Sequence, residues 1–220
     1  MQRREFSLSA ATVAAAATWG GVALPTTAQA QARAFKEGSD YLALGKPAPT
    51  DVPAGQVEVV EFFWYSCPHC NAFEPALEAW IQKAPKDVTV RRVPVAFRPD
   101  FEPQQRLYYV LEGMGKLNDL HKKVFNAIHV ERQALNTGDQ VAAWAEKQGL
   151  NKAKFVEMYN SFSVSTKVRK ATQLQDTYAV DGVPALGVGG RFYTSGQLAQ
   201  NMDRALQVTD YLIAQSRKPR

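Results

Sequence analysis

The chain has 220 residues, 45% of them hydrophobic, a formal net charge of +5 and two cysteines, enough apolar content for one cored domain or one domain carrying an insertion. Its charges are interspersed. Arg91-Arg92 is short and Arg217-Lys218-Pro219-Arg220 reads as a solvated tail, which excludes a nucleic-acid stripe, and there is no internal repeat and no phosphate loop, since Gly113-Met114-Gly115-Lys116 lacks the spacing.

Residues 1–30 have the form of a cleavable export signal. Arg3-Arg4 precede an Ala-rich stretch from Leu8 to Leu24, and Ala28-Gln29-Ala30 offers a small-x-small cleavage site, with Ala30-Gln31-Ala32 as a second. Arg3-Arg4-Glu5-Phe6 resembles the core of a twin-arginine signal, but Gln2, Ser7 and Leu8 depart from the fuller pattern, so a general secretory signal stays open. Thr12, Thr18, Trp19, Gly20 and Gly21 argue against an uncleaved anchor. A signal of this kind implies an oxidising compartment, where dithiol chemistry can be used to make disulfides.

Tyr41-Leu42-Ala43-Leu44 predicts a short strand, and Pro47, Pro49 and Pro53 mark the loop after it. Val57 to Phe63 predicts a buried strand, followed by a helix from Cys67 toward Ala84 with Pro75 as a kink. Val88 to Val95 predicts a strand with Pro94 near its end. From Pro103 to Tyr178 the period is helical: Leu107, Val110 and Leu111 share one face, as do Leu120, Val124 and Ile128, and Val141, Trp144 and Ala145. Thr137 and Asn151 are candidate N-caps. Ala185 to Val188 and Arg191 to Tyr193 flank Gly189-Gly190 as a hairpin, and an amphipathic helix covers 197–216 with Leu198, Met202, Ala205, Leu206, Thr209 and Leu212 inward. Strands at both ends and helices between them predict one α/β unit with an inserted helical domain.

Cys67-Pro68-His69-Cys70 holds both cysteines, at the junction of the buried strand and the helix. This placement points to a redox dithiol. A helix N-terminus presents free N–H groups and partial positive charge, so the Cys67 anion is favoured there, and His69 adds a donor or a charge. Cys70, one turn further in, is placed to resolve a mixed disulfide formed at Cys67. A favoured thiolate stabilises the reduced form and makes the disulfide a stronger oxidant. A zinc half-site completed by His121 and His129 is the rival reading, although their spacing does not match the usual pattern. An inert buried pair is a third. His121 and His129 otherwise read as surface residues of the helical region. Trp64, Tyr65, Phe97 and Phe101 are candidates for a substrate groove, with core packing as the alternative, and one of them at most is expected in the groove.

With Glu61-Phe62-Phe63, Phe73-Glu74 and Gly182-Val183-Pro184-Ala185, this motif resembles the DsbA-type thiol–disulfide oxidoreductases over residues 38–215. Pro-His between the cysteines is typical of that family, whereas thioredoxins usually carry Gly-Pro. The resemblance implies an α/β thioredoxin fold with an inserted all-helical domain: 38–100 and 166–216 as the two parts of the thioredoxin domain, 101–165 as the insert. It implies a cis Val183–Pro184 bond facing the cysteines, with the Val183 backbone pairing to an extended substrate beside Cys67, and with Pro184 keeping a competing N–H and metal ions from the sulfurs. Glu61 and Glu74 match a pair of buried acidic residues, and Arg92 stands where lysine is usual. These three would tune a pKa, relay protons or form a structural ion pair.

The implied activity is a periplasmic dithiol oxidase, soluble and monomeric, with Cys67 as the exposed, attacked sulfur and Pro68 and His69 setting redox strength. The Cys67–Cys70 disulfide is its redox group, with no metal and no other cofactor. Its partners would be unfolded exported polypeptides and a membrane quinone-linked reoxidant of the DsbB type, with no nucleic acid. The alternatives are a disulfide reductase or isomerase, a holdase that binds peptides without turnover, and a zinc-binding structural protein. The segment between the cleavage site and the strand at 57 is too short for the dimerisation domain that periplasmic isomerases usually carry.

Overall fold

The computed structural model describes residues 35–218, so the export-signal reading of residues 1–30 lies outside them. The longest interior strand is β2, Val57–Phe63, in which every residue is buried. A strand covered on both faces needs apolar residues without alternation. Glu58 and Glu61 interrupt that run, and each must find a cationic partner because an unpaired buried charge is costly. β2 is flanked by β3, Val88–Pro94, in parallel and by β4, Ala185–Val188, antiparallel. β5, Phe192–Ser195, and the two-residue β1, Leu42–Ala43, complete a sheet of order β1-β5-β4-β2-β3. The parallel register sets Glu61 directly opposite Arg92.

Two apolar clusters cover the sheet. Helix α1, Pro68–Ile81, packs with the C-terminal helix, Met202–Ser216, on one face, where Val57, Val59, Phe73, Leu77, Leu186 and Leu212 meet. On the other face Val60 and Phe62 join the apolar sides of the helical run between β3 and β4. That run consists of a 3₁₀ turn, Pro99–Phe101, then α2, Glu102–Gly113, α3, Leu117–His129, α4, Gly138–Lys147, α5, Lys152–Tyr159, and α6, Phe162–Thr177. The C-terminal helix is therefore α7. The architecture is an α/β thioredoxin fold with an inserted helical domain. Among the described residues, no helix is long and apolar enough to cross a membrane.

Local signals explain most boundaries. Thr137 and Asn151 cap α4 and α5 as predicted, accepting from the amides of Gln140 and Lys154. Gly189 and Gly190 have φ of 58° and 64°, and Arg191 N–H donates to the Val188 carbonyl, which is the tight hairpin that two glycines permit. The predicted start of α7 at 197 is corrected to Met202, because Asn201 accepts from the Arg204 amide and caps the helix there. Arg217, assigned to a solvated tail, makes a bidentate bond to Asp87 at 2.8 Å through both nitrogens.

Gly187 of β4 lies against the buried ring of Tyr178, and a Cβ there would overlap that ring. Tyr178 is held edge-on to Phe62 at 5.2 Å and has no room to retreat. Gly187→Ala is expected to destabilise the chain by about 1–3 kcal/mol, the usual cost of overpacking, read as a lowered urea midpoint at unchanged slope.

Candidate functional site

β2 ends beneath the N-terminus of α1, and Cys67 is the capping residue of that helix, with φ −79° and ψ 117°. Pro68 follows at the first helical position, where its missing N–H is no loss. The cysteines are free thiols. Cys67 is 7% exposed and Cys70 fully buried. Cys67, expected as an exposed sulfur, is thus nearly covered, although it remains the more accessible of the two. The Cys67 thiol donates to the Val183 carbonyl at 3.4 Å, and the Val183–Pro184 bond is cis. The dithiol and the Val-Pro turn, far apart in sequence, therefore meet. Beside them a groove of about 450 Å³ is lined by His69, Gly182, Val183, Pro184, Gln197 and Met202, among others. A larger cavity of about 540 Å³ lies between α2, α5 and α6, is lined by residues such as Tyr109, Met158 and Lys167, and holds no cysteine.

The two sulfurs have opposite acidities. The Cys67 pKa falls to about 6, because the Cys70 thiol donates to its anion and the amides of Cys70 and His69 and the charge of His69 add to that, against burial. The Cys70 thiol is pushed well above the ordinary thiol range by burial first, and then by its own bond to Cys67. The arrangement can hold a thiolate at Cys67 and a proton at Cys70 at neutral pH. His69 is exposed at the lip of the groove.

Behind the dithiol, three acids converge on one guanidinium. Arg92 Nε donates to Glu61 at 2.9 Å, and its Nη2 donates to Glu74 at 3.2 Å and to Glu78 at 2.5 Å. Glu61 is fully buried and one of its oxygens has no protein partner. Its pKa rises to about 8 through burial and the nearby Glu74 charge, against the pull of Arg92. Burial also pulls Glu74 upward, but the bond to His121, together with Arg92 and Lys122, outweighs it and holds Glu74 low. The three residues singled out in the sequence are therefore brought together, and Glu78 and His121 join them.

His121 and His129 are corrected from surface residues. His121 is 6% exposed. Burial lowers its pKa, so it is neutral at pH 7: its Nε2–H donates to Glu74 at 3.3 Å and its Nδ1 accepts from the Tyr65 hydroxyl at 2.8 Å. His129 is half-buried and donates from Nε2 to the Tyr65 carbonyl at 2.8 Å. The side chains proposed to complete a zinc site thus bond Tyr65 instead. The signal was present in the sequence: His121, Phe125 and His129 recur at helical spacing beside the apolar stripe of α3. Of the groove aromatics, Tyr65 is core, Trp64 stacks on Phe101 at 3.8 Å, and only Phe97 is exposed.

Glu61 has a folded pKa near 8 against an ordinary 4.5. Its contribution to stability is full below pH 4.5 and is lost as pH rises through 8. Glu61→Gln is therefore expected to stabilise the protein at pH 7 by on the order of 3 kcal/mol and to have little effect at pH 4, measured by denaturant unfolding at the two pH values.

The sequence model of one family, described as a DSBA-like thioredoxin domain, matches residues 58–207. The thiol:disulfide interchange protein DsbA of Bordetella parapertussis is 46% identical over 194 residues, covering 88% of this chain and 92% of that protein. That of Pseudomonas aeruginosa is 39% identical over 188 residues, covering 86% and 89%. The crystal structure of Pseudomonas aeruginosa DsbA superposes with a TM-score of 0.79 at 38% identity, over 83% of this chain and 95% of that one. The oxidoreductase DsbA of Xylella fastidiosa gives 0.78 at 30% identity, over 83% and 98%. With the dithiol, the cis Val-Pro turn and the helical insert in place, the chain belongs to the DsbA-like thioredoxin family of thiol–disulfide oxidoreductases.

Proposed function

We propose that this protein dithiol oxidase works in the periplasm, donating a Cys67–Cys70 disulfide to unfolded, newly exported polypeptides. The observation that carries the reading is the asymmetry of the dithiol: one sulfur slightly exposed against the Val183 carbonyl with its anion favoured, the other sealed with its proton favoured.

A substrate thiolate attacks Cys67 Sγ of the oxidised enzyme. The Sγ–Sγ bond breaks, its electron pair goes to Cys70, and a mixed disulfide joins Cys67 to the substrate. Cys70 then takes a proton, for which Glu61, protonated at neutral pH and electrostatically coupled to Cys70, is the nearby source. A second substrate thiolate attacks the substrate sulfur of the mixed disulfide, and Cys67 departs as the thiolate it prefers to be. The enzyme is left as the dithiol and the substrate as a disulfide. The Val183 backbone, already facing Cys67, offers an extended peptide a strand-like edge. The groove is mainly apolar, with Val183, Pro184 and Met202 beside the amides of Gln197, Gln200 and Asn201, which suits shallow, sequence-tolerant binding. A membrane quinone-linked partner of the DsbB type would return the dithiol to the disulfide.

Cys67→Ser is expected to abolish oxidation of a reduced, unfolded substrate, and Cys70→Ser, given a substrate that already carries a disulfide, to accumulate the mixed disulfide as its Cys67 thiolate displaces one substrate thiolate, seen as a covalent adduct on non-reducing gels. If the parent shows no oxidation beyond that of Cys67→Ser while both suppress aggregation of the unfolded substrate, the holdase reading is supported instead. His69→Ser is expected to shift the equilibrium with glutathione about tenfold toward the oxidised enzyme, a change of about 30 mV. An unchanged equilibrium removes His69 from the mechanism.

A further inference from the structure

We propose that Gln104 and His129, both carried by the helical insert, are positioning residues for the Cys67 sulfur. The segment Trp64–Ser66 joins β2 to α1 and belongs to neither. The sheet ladder stops at the Phe63 carbonyl, which accepts from Val95 N–H, and the helix ladder starts at the Cys67 carbonyl, which accepts from Asn71 N–H. Between them two backbone groups, the Tyr65 carbonyl and the Ser66 amide, are taken by insert side chains. His129 Nε2–H donates to the Tyr65 carbonyl at 2.8 Å. Ser66 N–H donates to Gln104 Oε1 at 3.1 Å, and Gln104 Nε2 donates back to Ser66 Oγ at 2.6 Å.

Both gripping side chains are themselves held. Gln104 is 1% exposed and its Nε2 also reaches Asn136 Oδ1 at 3.3 Å. His129 stacks on Phe125, whose ring lies 5.0 Å from that of Tyr65. A polar side chain as deeply buried as Gln104 is expected only where its bonds are made, and these bonds go to the residue immediately before Cys67.

The gripped segment bears on both sulfurs. The Trp64 carbonyl accepts from Cys67 N–H at 3.0 Å, and the Trp64 amide faces Cys70. Ser66 fixes where Cys67 leaves the bend and hence how its sulfur meets the first-turn amides of α1. A hydrogen bond weakens steeply with misalignment. Loosening the bend therefore weakens the amide–thiolate contacts and lowers the preference for the Cys67 anion. The insert, on this account, tunes the dithiol from outside the thioredoxin domain.

The inference rests on Cys67 being the attacked sulfur. The test uses His129→Leu, Gln104→Met and the conservative His129→Gln, which keeps an N–H for the Tyr65 carbonyl. The readouts are the equilibrium with glutathione and the melting temperature of each redox form. His129→Leu and Gln104→Met are expected to shift the equilibrium about tenfold toward the oxidised enzyme, as losing part of one charge-assisted hydrogen bond implies, with His129→Gln close to the parent. A purely structural role would lower both melting temperatures equally and leave the equilibrium unchanged, and that result overturns the proposal, as does a shift in only one of the two disruptive variants. If His129→Leu does not fold, Gln104→Met decides by the same criterion. Cys67→Ser is assayed alongside, so that activity surviving its loss is read as failure of the site assignment and not of the positioning.

Discussion

The site depends on a sulfur standing where a helix cap should be. The first turn of α1 has amides without helical acceptors, and its capping residue is Cys67, which as a thiol spends its hydrogen on the Val183 carbonyl and makes no capping bond. Deprotonation changes that. The anion can accept from the Cys70 thiol and from the amides of His69 and Cys70. The backbone geometry of this helix start is thus better satisfied by a thiolate than by either a thiol or a disulfide. An enzyme whose reduced state is the comfortable one gives its disulfide away.

The second constraint is the charge buried beneath. Arg92 is shared among Glu61, Glu74 and Glu78, with a guanidinium fork that reaches two helix acids and one strand acid at once. One positive group cannot hold all three carboxylates ionised when two of them are buried, so the most buried, Glu61, gives way and keeps its proton near neutral pH. Its lack of a second partner is the structural mark of that compromise. The result is a proton held inside an apolar core, electrostatically coupled to the cysteine that must be reprotonated when the disulfide opens.

Much of this was legible in the residues. The two cysteines, the buried strand before them and the later Val-Pro turn carried the fold class and the location of the dithiol, because each is a strong local pattern. Glu61 stood out as an acid in an apolar strand. Glu78 and Gln104 did not stand out, since what engages them is contact with segments distant in sequence that no local spacing betrays, and His121 and His129 offered only the helical spacing they share with Phe125. The polar character of histidine and glutamine argues for the surface until a partner is known, and their partners lie between 38 and 64 residues away for Ser66 and Tyr65. The start of α7 was missed for a smaller reason: Asn201 is an ordinary cap whose signal is weaker than the apolar period running through it.

The most direct measurement is the stability of the reduced protein minus that of the oxidised protein, followed from pH 5 to pH 8. Groups common to the two forms largely cancel, leaving Cys67, whose folded pKa of about 6 lies below its unfolded value. Its contribution is fully present above the unfolded pKa and lost as pH falls through 6. The account predicts a difference that is flat below pH 6 and then rises in favour of the reduced form by about 1.4 kcal/mol per pH unit. An oxidised form that is the more stable throughout, or a difference independent of pH, would contradict it.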